Sequence, residues 1–471
     1  GYWAPCMIQL RAWQAECIEK ALATFQRQTH FFCHATPGAG KTVMVALVAK
    51  ALFQQDKIDF VLCFSPSRAI AEGVASAFSQ ILGRSFNGQI GAAGGSYTYQ
   101  SMYTLPEELW QVLREHRVLV VLDEIHHCSG IVWGNSPTGN RWGRTILDKV
   151  QGKASYTMAL SGTPWRTDDS PIVLSQYTKS TGQIHCDYEY GLQKAISDSV
   201  CRAPKIVLTD NREISLSSAD FGLKTFASIS DSLKNEHITY PDFLFRDAVI
   251  DQLLSEASAR LTSIRKHTPL AGGLVVAASV SHAEQIARRL ALAGEHPIIV
   301  TYQTPEAQRM ISNFKTSSDR WIVSVGMISE GTDIPRLQVC CHLSRIRTEL
   351  HFRQVLGRIL RRQPTDPADT SAWLYMLAEP NLAEFARKIG EDLPGKKVVS
   401  FIPDLKTRGT QESKAMKCVH DDKFVFTLDP DEQVSVEYSG LSSETPKEEE
   451  IDLRISNQYW NEVLALFATS T

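Results

Sequence analysis

No run in the 471-residue sequence approaches the ~20 uncharged apolar residues that a membrane-spanning helix needs. The start, GYWAPCMIQL, lacks the basic flank, apolar core and small-residue cleavage site of a secretory signal. It does not open on Met, as expected of a trimmed or tagged chain. The ten cysteines include no C-x-x-C pair, which argues against a zinc ribbon or a disulfide framework and for reduced thiols in the cytoplasm. Charge of one sign is missing too: 49 Lys and Arg stand against 52 Asp and Glu, a formal net charge of -3. Nucleic-acid contact would therefore have to come from local patches. The charge is uneven along the chain. RIRTELHFRQVLGRILRR (Arg345 to Arg362) is dense in arginine, whereas SSETPKEEEID (Ser442 to Asp452) is acidic.

What is present is a soluble globular composition, 43% hydrophobic and 21% charged, in a chain long enough for two or three domains. Short apolar runs (HFFCHA, DFVLCFSP, VLVVLDE, YTMALSGTP) alternate with helix-period stretches. Buried aliphatic runs in that order predict a parallel sheet covered by helices on both faces. After a gap the pattern returns in GGLVVAAS, HPIIVTY, RWIVSVGM, LQVCCHLS and SAWLYMLA. The expected fold class is α/β, with two such halves in tandem at 1–169 and 267–398. Between them, over 170–266, PKIVLTDNREISLSSAD reads as a strand and a polar turn. FLFRDAVIDQLLSEASARLTSIRKH then reads as one long amphipathic helix. Residues 399–471 read as a small C-terminal α+β extension: short strands (KFVFTL, QVSVEY), an acidic linker and a last short helix ending YWNEVLALF.

Two motifs carry chemistry. In ATPGAGKT (Ala35 to Thr42) a strand breaks into a glycine loop and then a helix, the order that aims backbone N–H groups and a helix dipole at phosphate oxygens. Pro37, Gly38, Ala39 and Gly40 form the cradle. Lys41 would reach the β- and γ-phosphates of ATP, and Thr42 would ligate Mg2+. In VLVVLDEIHHC a buried strand ends in Asp123-Glu124-Ile125-His126. Asp123 there would hold Mg2+ through water, and Glu124 would orient and deprotonate the attacking water. His126-His127-Cys128, read as extended, points its side chains in opposite directions, so a structural metal is not expected there.

With these motifs the chain resembles the superfamily 2 helicases and translocases of the DExH type, which have two RecA-like domains and an ATP cleft between them. The resemblance runs from about Leu10 to Leu377, with motifs in family order. LRAWQAE resembles the adenine-contacting element and implies roles for Arg11 and Gln14. FSPSRAIAEG and GSYTYQSM resemble elements Ia and Ib, implying nucleic-acid backbone contacts at Ser65, Pro66, Arg68 and Thr98. LSGTPWR resembles motif III, in which Ser161 and Thr163 would link cleft to nucleic acid; the chain has S-G-T where many members have S-A-T. VVAASVSHAEQIA resembles motif IV and implies Ser279 as a contact. MISEGTDIP resembles motif V, with Gly331 and Asp333 lining the cleft. QVLGRILRR resembles motif VI and adds Gln354, Arg358 and Arg361 to Lys41, Asp123, Glu124 and His126 as catalytic residues. Arg358 and Arg361, three apart, are expected to share a helix face and to reach the γ-phosphate when the domains close.

Within the superfamily the motifs most resemble the group containing type I and type III restriction motors and DNA-repair helicases. That implies an ATP-hydrolysing helicase or translocase acting on DNA, single-stranded or duplex. An RNA helicase with the same motor, or the motor subunit of a restriction or anti-phage nuclease complex, is the alternative. Protein partners through the C-terminal extension are an expectation; a membrane is not. IPDLK (with Asp404) and DDK (with Asp421) imitate a PD…D-x-K nuclease core, but the D-x-K part starts an apolar run instead of lying on one.

Overall fold

The structure, a computed structural model, describes residues 8–127, 141–162, 176–177, 184–325, 333–389 and 451–465. The first lobe runs α1 (Ala12–Thr24), β1 (His30–Ala35), α2 (Lys41–Gln54), β2 (Phe60–Ser65), α3 (Arg68–Leu82), β3 (Gly94–Thr98) and α4 (Glu107–Glu115). It continues with β4 (Val118–Leu122), α5 (Arg141–Lys149), β5 (Tyr156–Ser161), the short pair β6 (Gln176–Tyr177) and β7 (Ile184–His185), β8 (Tyr188–Tyr190) and α6 (Leu192–Ser197). Its six-stranded sheet has the order β3-β2-β4-β5-β1-β8, parallel throughout. All five residues of β4 are buried, and β1, β2 and β5 each expose only their first residue in part. A strand covered on both faces has no polar side to alternate with, which is why these runs read as continuously apolar.

The second lobe opens with β9 (Ala203–Asn211), β10 (Ile214–Ser218) and β11 (Gly222–Phe226), then α7 (Ile229–Ser232), α8 (Tyr240–Leu244) and α9 (Asp247–Arg265). There follow β12 (Gly272–Val276), α10 (Val280–Leu292), β13 (Ile298–Val300), α11 (Ala307–Thr316), β14 (Trp321–Ser324) and β15 (Leu337–His342). The last elements are α12 (Glu349–Leu360), β16 (Ser371–Leu377), α13 (Pro380–Arg387), β17 (Asp452–Ile455) and β18 (Tyr459–Ala465). Its seven-stranded sheet has the order β13-β14-β12-β15-β16-β9-β18, parallel except for β18. The tandem α/β reading holds. The glycine loop, Asp123 and Ser279 follow the carboxyl ends of β1, β4 and β12, where open parallel sheets place ligands.

The structure corrects three details. Tyr459–Ala465, the described part of YWNEVLALF, is a strand and not a helix: β18 runs antiparallel to β9, with Val463 opposite Val207. Helix-forming composition there yields to the free hydrogen-bonding edge of β9, a tertiary gain that local propensity does not contain. The segment read as one strand and a turn is a pair of strands, β9 in the large sheet and β10 in a small antiparallel one, β11-β10-β17. The long helix is two, because Arg246 between α8 and α9 takes extended dihedrals (φ -82°, ψ 122°). The expected strands KFVFTL and QVSVEY, and Asp404 and Asp421, lie outside the described residues. Among the described residues no helix is long and apolar enough to cross a membrane.

Candidate active site

The loop between β1 and α2 depends on glycine. Gly38 and Gly40 have φ of 80° and 98°, a region that side chains disfavour. A Cβ on Gly40 would also lie 2.7 Å from Gln14 Nε2. The loop is held by the start of α1. The Arg11 guanidinium donates to the Ala39 carbonyl at 2.6 Å, Trp13 Nε1 to the same carbonyl at 3.1 Å, and Gln14 Nε2 to the Gly40 carbonyl at 2.9 Å. The side-chain N–H groups of Arg11 and Gln14, expected to meet adenine, thus donate to the loop, and Gln14 is only 4% exposed. Motif reading passed over Trp13. It is buried and stacked on Tyr190, ring centroids 4.8 Å apart, and its place between Arg11 and Gln14 was the available signal.

Lys41 and Thr42 are the first two residues of α2. Lys41 Nζ lies 2.6 Å from Glu124 Oε1. Burial works against the Lys41 ammonium, but the carboxylates of Glu124 and Asp123 outweigh it and hold its pKa above the ordinary value. Asp123, 7% exposed, directly follows β4. Glu124 sits at φ 47°, left-handed backbone uncommon for a side-chain-bearing residue. Its second oxygen is 3.3 Å from His126 Nδ1 and 3.5 Å from the Gly162 amide. His126 Nδ1 is in turn 2.9 Å from Ser161 Oγ, joining the end of β4 to the end of β5. Residues 125–127 form a 3-10 turn, not the extended segment expected from sequence. Beneath them His34, pushed down to about 4 by burial, contacts the Ser161 carbonyl; no motif pointed to it.

The second lobe meets this loop directly. A Cβ on Gly357 of α12 would lie 3.0 Å from the Pro37 ring, and so would one on Gly162. Gln354 and Arg358 are half-buried on α12. Arg361 is not on that helix, so it does not share a face with Arg358. The helix ends at Leu360, and Arg361 takes extended dihedrals in an isolated bridge to Cys201. The reason is Arg202: its N–H binds the Leu360 carbonyl, and its guanidinium binds the carbonyls of Pro335, Leu337 and Ile359 and the carboxylate of Asp366. The bonds to the Ile359 and Leu360 carbonyls take the last acceptors of α12, and Pro364 has no N–H with which to extend the helix. Arg361 runs along the phosphate loop, its Cβ 3.4 Å from where a Gly38 Cβ would be, and it pairs with Asp333. Gly331 lies outside the described residues.

The expected nucleic-acid contacts divide. Arg68 is exposed at the start of α3, Thr98 closes β3, and Ser279 caps α10 by accepting the His282 N–H. Ser65, Pro66 and Ser161 are buried, because they end or directly follow strands covered on both faces, so their side chains do not lie on a surface that a strand could touch. Thr163 lies outside the described residues. For the nucleotide the fit is better. Two positive-φ glycines shape a cradle with Lys41 at its end, and the Thr42 hydroxyl with the Asp123 carboxylate is a hard-oxygen donor set suited to Mg2+.

Comparison with known proteins agrees with this geometry. Residues 7–166 match the family described as "Type III restriction enzyme, res subunit". An uncharacterized protein of Mycobacterium tuberculosis is 30% identical over 397 residues, 80% of this chain. Another from Mycobacterium leprae is 29% identical over 399 residues, 81% of this chain. The chain spans 62% and 64% of the length of these two curated relatives. Among solved structures, a fragment assigned to the HsdR subunit of a type I restriction enzyme from Vibrio vulnificus superposes with a TM-score of 0.53 at 16% identity. It covers 80% of this chain and 66% of that one. The type ISP restriction-modification enzyme LlaBIII, solved bound to DNA, superposes at 0.51 and 16%, covering 78% of this chain and 27% of that one. The resemblance to the superfamily 2 helicases and translocases therefore stands, carried by the family match over residues 7–166 and a tandem RecA-like fold.

Proposed function

We propose that the protein is a nucleic-acid-dependent ATPase that uses hydrolysis to move along DNA or to separate its strands. The observation that carries this is the convergence at one loop. Lys41 and Glu124 pair at its end, and Arg361 of the other lobe packs along Gly38. In this reading ATP draws Lys41 away from Glu124 and frees a carboxylate. Glu124 takes the proton of a water that attacks the γ-phosphorus as the bond to ADP breaks. Arg358 and Arg361 neutralise charge that develops on the transferred phosphoryl, so turnover reports whether the lobes are closed. Mg2+, held by Thr42 and through water by Asp123, would neutralise phosphate oxygens when bound.

DNA is favoured over RNA by the restriction-enzyme family match over the first domain and by the closeness of DEIHHC, SGTPWR and SEGTDIP to DNA-directed members. The phosphate contacts would come from Arg68, Thr98 and Ser279 and be sequence-tolerant. The same family match raises the second reading, a motor subunit of a restriction or defence nuclease, which plasmid nicking by the protein with Mg2+ or Mn2+ would reveal. The primary test is ATP turnover with and without nucleic acid, wild type against Lys41→Ala. Turnover that persists in the variant would overturn the reading.

A further inference from the structure

Glu124 can act on water only if its unusual backbone is held, and the chain has a group placed to hold it. Tyr99 directly follows β3 and is 0% exposed. Its N–H donates to the Ser65 carbonyl at 2.9 Å, at the end of β2, and its hydroxyl donates to the Asp123 carbonyl at 2.8 Å, at the end of β4. One residue, through its backbone N–H and its hydroxyl, thus links three adjacent strands of the order β3-β2-β4. The peptide it grips is the one between Asp123 and Glu124. That peptide's N–H is bound by the Asp123 carboxylate at 3.0 Å, so both of its polar ends are fixed. Rotation of this peptide is what would let Glu124 leave φ 47° for ordinary backbone. It would also swing the carboxylate away from Lys41, His126 and the Gly162 amide.

The other end of the lever is Thr98, whose Oγ1 accepts the Ser101 N–H at 3.1 Å and whose carbonyl accepts the Ser101 hydroxyl at 2.8 Å. We propose that Tyr99 is a positioning residue that ties the nucleic-acid-facing end of β3 to the peptide that aims Glu124. Engagement of nucleic acid at Thr98 then reaches the hydrolytic carboxylate through one buried phenol, without passing through the other lobe. This rests on the functional reading above. It adds a route by which nucleic acid sets the hydrolysis rate.

Tyr99→Phe keeps the ring and removes only the hydroxyl. With saturating DNA its kcat should fall about fivefold, the size expected for the loss of one neutral hydrogen bond. The KM for ATP should stay within about twofold, because the phosphate loop is untouched. The ratio of DNA-stimulated to basal turnover should also fall. Independently of any activity, hydrogen exchange of the 120–127 peptide should accelerate in the variant. Unchanged exchange in that peptide, or an unchanged kcat in the folded variant, would overturn the proposal. A wild type that does not hydrolyse ATP would instead defeat the functional reading, and the exchange measurement would still decide whether Tyr99 holds this peptide.

Discussion

Lys41 Nζ sits 2.6 Å from Glu124 Oε1, so the residue expected to meet a phosphate and the residue expected to take a proton from water hold each other. The pair predicts opposite phenotypes for its two members. Lys41→Ala should abolish hydrolysis and weaken nucleotide binding, since a phosphate-neutralising charge is lost. Glu124→Gln should bind ATP and stall. Equilibrium binding of a fluorescent ATP analogue alongside turnover separates them, and near-normal turnover in Glu124→Gln would remove the general-base assignment.

Arg358→Ala and Arg361→Ala should leave ATP affinity nearly intact and lower turnover by about 10³-fold, as an arginine completing a phosphoryl-transfer site does. The two need not be equal. Arg361 is held by Asp333 and the extended bridge to Cys201, whereas Arg358 is carried by α12. Normal hydrolysis by both variants on DNA would refute a cleft shared between lobes.

Arg202 and Asp366 form an ion pair at 2.9 Å with both side chains fully buried. Asp366→Ala leaves the guanidinium without its counter-charge and should destabilise the protein by about 3 to 5 kcal/mol. The urea midpoint measures it, and a shift worth under about 1 kcal/mol would place the pair among solvent-screened ones.

Much of the fold was legible because burial on both faces writes itself as an uninterrupted apolar run, as in β4, and because Gly38 and Gly40 hold backbone that other residues disfavour. What was illegible was decided from a distance. Pro364 is a local signal for the helix end before Arg361, but nothing local says that Arg202, more than 150 residues earlier, clamps the helix-end carbonyls. Residues 459–465 became a strand because β9 offered an edge. Tyr99 belongs to a quoted motif, but nothing local says that its hydroxyl reaches the end of another strand.

Burial pushes His30, His34, His282 and His342 down to about 4 from an ordinary 6.5. The unfolded chain therefore binds more protons between those values, and stability rises with pH across that window. Their contribution is complete above 6.5 and is lost as pH falls toward 4. Urea midpoints should fall between about pH 7 and pH 5. A flat profile there would mean that these imidazoles are not held neutral.

The central claim is that nucleic acid, and DNA in particular, governs ATP hydrolysis. ATPase titrations with single-stranded, duplex and forked DNA and with RNA, at several salt concentrations, test it most directly. The account predicts stimulation by DNA and a modest salt slope, because the proposed contacts at Thr98 and Ser279 would be neutral and Arg68 would add one charge. A slope like that of a protein neutralising about ten phosphates would reveal a basic surface that the account lacks. Turnover indifferent to every nucleic acid, or raised by RNA alone, would contradict the claim itself.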